Sequence, residues 1–208
     1  MTQKITFEAK YAGFNMTKTI FLLSITFFLS IAASAQNIIE WSADYQLQKS
    51  DFQAEAPNSG QMQTASGSFS VEYETGGLNL VMNRNLNENV SCKFQKDASY
   101  IDDGTEEATA RLLRYQQLIF NLYEIQARNL RKKFFEERKK VLTNRLSELH
   151  EQVYADHAKL LSQVESDTFN GTLDSEIAKW MKWSLEELEN LGDFCKTCNP
   201  KKKKKNKK

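Results

Sequence analysis

The sequence predicts an α+β protein, in which a small antiparallel sheet of about four strands packs on two or three long α-helices. Apolar and polar residues alternate in several short stretches before residue 100, a period typical of half-buried strands. From Thr105 to Phe169 there is neither Gly nor Pro, and helix-forming residues dominate. The 208 residues have room for one ordinary domain, which we assign to residues 36–195.

The N-terminal residues 1–35 have the features of a signal peptide. Lys18 precedes an apolar run from Ile20 to Ala33, and Ala33-Ser34-Ala35 suits cleavage after Ala35. Met16 is an alternative start. The alternative to a signal is a membrane anchor, but the run has 14 residues, whereas about 20 are needed to span a bilayer. We therefore expect an exported protein, periplasmic or extracellular.

Charge separates the body of the chain from its end. Residues 36–195 carry 17 Lys and Arg against 26 Asp and Glu, whereas residues 196–208 carry eight lysines and no acid. Such a tail is expected to be disordered. It favours weak contact with anionic surfaces through Lys201, Lys202, Lys203, Lys204 and Lys205; the alternative is a solvated tail that also touches the acidic body. The basic residues between 132 and 145 are interrupted by Phe and Glu, so no specific nucleic-acid partner is expected.

The strands are predicted in chain order from alternation and turn residues. The first runs from Asn37 to Leu47, followed by a cap or turn at Ser50-Asp51 and a loop over residues 53–67. Gly76-Gly77 supplies a later turn. The other three strands are read from inward-facing residues, respectively Phe69, Val71 and Tyr73; Leu78, Leu80 and Met82; and Val90, Cys92 and Phe94.

The helices follow from residue 105 onward. Asp103 or Thr105 can cap the first, and because sixty helical residues in one piece are improbable here, we expect a break at residues 142–147 and two antiparallel helices. Asn170-Gly171 ends the second. The third runs from about Asp174 to Leu191, ended by Gly192.

The three cysteines give little chemistry. Cys195 and Cys198 are spaced for a local disulfide in an oxidising compartment. The motif lacks further zinc ligands and does not open a helix after a strand, as a redox site would. Cys92 is expected to pack as a small apolar residue.

The segment YQQLI, from Tyr115 to Ile119, stands in the frame of an HExxH motif. Such a zinc site needs two imidazoles at i and i+4 and a Glu that activates the metal-bound water. Here Ile119 has no lone pair, Tyr115 is a poor ligand at neutral pH, and Gln116 cannot act as a base.

The surrounding residues resemble an uncharacterised family of secreted bacterial proteins regarded as zinc-dependent proteases, whose helix reads approximately LLxHEQxHFDIxExxARxLR. The family's Asp is matched by Asn121, and a later His, a candidate third ligand, by Asn170. The resemblance extends from about residue 38 to residue 191. The residues that match the helix are Leu112, Leu113, Gln117, Phe120, Glu124, Ala127, Arg128, Leu130 and Arg131.

The resemblance implies a degenerate protease domain without zinc, another cofactor or catalysis. It implies a binding or structural role in the cell envelope, with an unknown protein or peptide partner. Two alternatives remain: an active hydrolase with a non-standard site built from His150, Glu151 and His157, or an envelope protein targeted by its lysine tail.

Glu124 is expected to face away from Tyr115 and to pair with Arg128. Without the resemblance, the segment predicts an amphipathic core helix whose stripe is Ala108, Leu112, Tyr115, Ile119, Leu122 and Leu130.

Overall fold

The computed structural model describes residues 37–57, 64–74, 85–102, 104–137 and 146–200. The chain divides into two units, Met1–Asn37 and Ile38–Lys208, and the description below concerns the second. The predicted signal peptide, the strand through Leu78 to Met82, the helix break at 142–147 and the lysines from 201 onward lie wholly or largely outside the described residues. No helix among those described is long and apolar enough to cross a bilayer.

The α+β class is confirmed. Three strands, β1 (Ile38–Glu40), β2 (Ala65–Tyr73) and β3 (Val90–Ile101), form an antiparallel sheet in the order β1-β3-β2. Three helices, α1 (Glu106–Glu136), α2 (Leu146–Asp167) and α3 (Asp174–Asn190), complete the domain. The sheet therefore has three strands within the described residues, fewer than the four predicted.

The first predicted strand is wrong over most of its length, since β1 ends at Glu40. Trp41 N still donates to Cys92 O (3.0 Å), but Tyr45 N then donates to Ser42 O (3.2 Å), which turns the chain away from β3. Tyr45 and Leu47 nevertheless reach the core from this irregular segment. The predicted loop also ends early, because β2 begins at Ala65.

Helix α1 is the centre of the domain. Its N-cap is Thr105, whose side chain accepts from Ala108 N. One core cluster packs it against the sheet and the start of α2, and a second packs it against α2 and α3. Every residue from Tyr115 to Arg131 is buried except Tyr123 and Asn129, which are partly exposed. The predicted apolar stripe is buried, but so is most of the opposite, polar face.

Helices α1 and α2 run antiparallel, as predicted. Tyr115, early in α1, lies against Gly171 just after α2, whereas Tyr123, two turns later, contacts the ring of His157 (centroids 4.7 Å apart). Thr168, fully buried, donates to Val164 O (2.6 Å) and accepts from Gly171 N (3.2 Å), which fixes the turn after α2.

The C-terminal residues belong to the fold as far as Cys198. Cys195 and Cys198 form a disulfide, and the buried side chain of Asn87 donates to the carbonyl oxygens of both. Lys196, assigned to the tail by sequence, forms an ion pair with Glu40. Cys92 is free and fully buried in the core, in agreement with its predicted packing.

Candidate functional site

A cleft of about 700 Å³ opens beside Tyr115, and we call it the α1 cleft. Its walls are the start of β2, one face of α1, the last turns of α2 and the turn at residues 168–172. Four of the five positions singled out by sequence line it, namely Tyr115, Gln116, Ile119 and Asn170. Tyr115, Gln116 and Ile119 of α1 therefore lie at the same cleft as Asn170, which is distant in the chain.

Two glycines allow the walls to approach closely. Gly171 has a positive φ of 82°, and a β-carbon there would lie 2.5 Å from Tyr115 Cδ1. The tyrosine ring therefore rests on the backbone next to Asn170. On the opposite wall, a β-carbon on Gly67 would overlap the ring of Phe69 and lie 2.7 Å from Gln116 Oε1.

The groups at the α1 cleft suit hydrogen bonding and packing more than proton transfer. Gln116 Nε2 donates to Ala65 O of β2 (3.1 Å). Burial raises the pKa of Tyr115, with a weaker opposing effect from its hydrogen bond with the Thr168 side chain, so the phenol is neutral at pH 7. Ile119 contributes an apolar surface. No cluster of three or more His, Cys, Asp or Glu side chains within the described ranges is placed to hold a metal ion.

Sequence reasoning missed three residues at the α1 cleft, namely Arg111, Glu165 and Phe169. Arg111 Nε is buried without a hydrogen-bond partner, and Glu165 lines the same cleft. Phe169 is 69% exposed and has a φ of 49°, a left-handed conformation that is unfavourable for a bulky side chain. Backbone strain of this kind clusters at functional sites, and aromatic rings are enriched among the residues that dominate binding at interfaces.

Asn121 is not at the α1 cleft. Its Oδ1 accepts from Trp41 Nε1 (3.1 Å) and from Gln117 Nε2 (3.3 Å), and its Nδ2 donates to Ser184 Oγ of α3 (3.3 Å). It lies six residues after Tyr115, about 240° around the helix. Asn121 therefore joins the segment before β2 to α3 and has a structural role.

Glu124, Arg128 and Arg131 form a buried triad on the same side of α1. Glu124 Oε1 accepts from Arg128 Nε (2.9 Å) and from Arg131 Nη1 (2.8 Å). Arg131, 1% exposed, also donates to Val90 O and Phe194 O. The predicted Glu124–Arg128 pair exists, but it is buried and shared, so the small contribution expected of an exposed helix pair does not apply.

The residues of the alternative hydrolase site are not brought to the α1 cleft. His150 is half-buried and packs on Tyr73 (ring centroids 5.3 Å apart), and Glu151 is exposed. His157, two turns further along α2, is 6% exposed. Its burial lowers the pKa of the imidazole from 6.5 to about 4.

Acid is expected to destabilise the protein through His157. The depressed pKa of the folded state means that the unfolded chain binds the extra proton first, so this stability is complete above pH 6.5 and is lost as pH falls to about 4. The loss is about 3 kcal/mol. Tyr123 contacts the ring, and the charged residues that line the same cavity as His157 are Lys132, Lys133 and Glu136 of α1, and Asp156 of α2.

Urea unfolding at pH 4, 5, 6 and 7, compared between wild type and His157→Phe, isolates this contribution. The free energy of unfolding of wild type should fall more steeply below pH 6.5, by about 1.4 kcal/mol per pH unit at most. Parallel pH profiles for the two proteins would contradict the assignment.

Comparison of the chain with protein-family models, curated proteins and solved structures finds no match. The arguments that follow depend on the residues and their geometry.

Proposed function

We propose that the protein is an exported, non-catalytic binding protein, which holds an extended segment of peptide or protein in the α1 cleft. The observation that carries the proposal is the meeting of Tyr115, Gln116, Ile119 and Asn170 at that cleft. The positions that an HExxH protease would fill with ligands and base border a concave surface, but with side chains that pack or form neutral hydrogen bonds. This supports a retained scaffold in a degenerate member of that protease group.

The shape of the cleft favours an extended ligand. Among the described residues β2 has a single neighbour, β3, and its first residues, Ala65 and Ser66, line the α1 cleft. Ala65 O accepts a hydrogen bond from Gln116 Nε2 of α1. An extended peptide lying beside a strand binds through main-chain hydrogen bonds, while alternate side chains enter pockets.

Charge and aromatic groups suggest how the ligand is oriented. Arg111 lines the cleft, and its guanidinium can donate to a ligand carbonyl or carboxylate, while Glu165 can accept from a ligand amine or amide. Phe169 offers an exposed ring to an apolar ligand side chain. Arg111, Glu165 and Phe169 contact the ligand in this proposal and take no part in a chemical reaction.

The proposal is tested by selecting binders from a random peptide library displayed on phage, with protein spanning Gln36 to Lys208 as bait. Ser66 is exposed and lines the α1 cleft, so Ser66→Trp should fill the cleft without disturbing the core. Affinity for the selected peptides should fall by about tenfold or more in this variant. Ser162→Trp, at an exposed position of α2 outside the cleft, is the matched control and should bind as wild type does.

Two further measurements sharpen the result. Arg111→Met should weaken the same peptides, whereas Arg114→Met, which removes an exposed pair with Asp174, should not. Mass spectrometry should recover the peptides intact. Equal binding by wild type and Ser66→Trp would rule out the cleft as the binding site, and cleaved peptides would rule out the non-catalytic assignment.

A further inference from the structure

The α1 cleft has an aromatic lining. Rings from β2, β3, α1 and the turn after α2 border it, namely those of Phe69, Tyr100, Tyr115, Tyr123 and Phe169. The face of an aromatic ring carries partial negative charge and attracts a cation. A lining with several rings therefore favours a positively charged ligand group over a negatively charged one.

Glu165 adds a full negative charge to this lining. It is the one acidic residue among the described residues that border the cleft, and it lies one turn after Leu161 on the same wall of α2. Glu165 is exposed, and no described residue forms an ion pair with it. Arg111, the one basic residue of the lining, therefore does not neutralise it, and the carboxylate is accessible to a ligand.

The carboxylate of Glu165 lies close to two of the aromatic rings. Burial raises the pKa of Tyr115 and of Tyr123, and the negative charge of Glu165 adds to the increase at both phenols. An effect of this kind requires the carboxylate to be near each phenol, because a Coulomb interaction weakens with distance. A cation paired with Glu165 is therefore also within reach of the aromatic lining.

We propose that the α1 cleft binds the side chain of an arginine residue in its peptide ligand. The guanidinium pairs with the carboxylate of Glu165 and packs on the aromatic lining. A planar guanidinium suits both contacts, since it can pair with a carboxylate through two parallel hydrogen bonds and can stack on an aromatic ring. This inference rests on the proposed function, because it names the class of peptide that the same cleft holds.

The test is a titration of the ¹⁵N-labelled full chain at pH 7 with N-acetyl-argininamide and, separately, with N-acetyl-citrullinamide. The citrulline compound has nearly the same length and shape but carries no charge. The arginine compound should shift the backbone amide signals of Glu165 and Gly171 in a saturable manner. The citrulline compound should bind at least about fivefold more weakly, because it cannot form the ion pair.

Matched variants assign the preference to one carboxylate. Glu165→Gln keeps the length of the side chain and removes its charge, so this variant should bind the two compounds within about twofold of each other. Glu151→Gln makes the same change at an exposed position of α2 outside the α1 cleft, and should keep the preference of wild type. Both glutamates are exposed, so neither change disturbs the core.

The result is independent of the selection of peptides on phage. The arginine assignment is overturned if the arginine compound causes no saturable shift, if wild type binds both compounds alike, or if Glu165→Gln keeps the preference. Peptides that are selected in that case, and that lose affinity in Ser66→Trp, would still support the proposed function. Failure to select any peptide would instead overturn the proposed function, whereas the comparison of the arginine and citrulline compounds would still decide whether the cleft binds a guanidinium group.

Discussion

The quadruple variant Tyr115→His, Gln116→Glu, Ile119→His and Asn170→His is expected to bind about one zinc ion per chain, whereas wild type is expected to purify with far less than one. Positions 115 and 119 are one turn apart and both line the α1 cleft. The ring of Tyr115 rests on Gly171, which brings position 170 beside them. Three imidazoles can then meet at zinc–nitrogen distances of about 2.0 to 2.1 Å.

Elemental analysis after purification without chelator, followed by competitive zinc titration, measures the effect. Added zinc should also raise the melting temperature of the variant, because zinc binds the folded state alone. The matched control is Tyr154→His, which forms an i,i+4 pair with His150 at an exposed position of α2 outside the α1 cleft. If the quadruple variant binds zinc no more tightly than this control, the protease-like scaffold is not supported, although peptide binding would still be tested by Ser66→Trp.

The grouping at the α1 cleft was partly predictable from sequence. Tyr115 and Ile119 are four residues apart, so the helical period places them on the same face of α1, and Gln116 follows Tyr115 directly. The approach of Asn170 depends on the antiparallel return of α2 and on the turn at Thr168, which helix signals predict only in outline. Arg111 and Phe169 carry no motif, so their positions at the rim could be found only from the fold.

The errors in the sheet and on α1 have a common physical cause. The alternation of apolar and polar residues as far as Leu47 predicted a strand, because alternate side chains are buried in a strand. In the structure Leu47 N donates to Gln117 Oε1 (2.8 Å). The backbone therefore needs no strand partner at this position. Likewise Glu124 was expected to form only a pair with Arg128. The segment of Trp41 and Leu47 and helix α3 cover this face of α1, and its polar groups satisfy one another, a property that pairwise spacing does not reveal.

Removing Glu124 is expected to have the largest effect on stability of any single substitution proposed for this protein. Glu124→Leu would leave Arg128 and Arg131 buried without a counter-charge, and breaking a buried pair in this way costs about 3 to 5 kcal/mol. Arg131 would keep its bonds to Val90 O and Phe194 O, so the cost is that of the uncompensated charge. The free energy of unfolding from urea denaturation, with the slope checked for two-state behaviour, measures it.

Two comparisons assign the loss to the triad. Glu186→Leu, which removes an exposed carboxylate whose contact with Lys182 is 3.9 Å, should change the free energy of unfolding by about 0.5 kcal/mol or less. The double variant Glu124→Leu/Arg131→Met should be less destabilised than the sum of its single variants, because the second change removes one of the two stranded charges. A loss below about 1 kcal/mol for Glu124→Leu would mean that water reaches the arginines, since only solvent could then replace the carboxylate. Glu124, Arg128 and Arg131 would in that case not stabilise the scaffold, whereas the expected loss would show that this triad stabilises the fold around the α1 cleft.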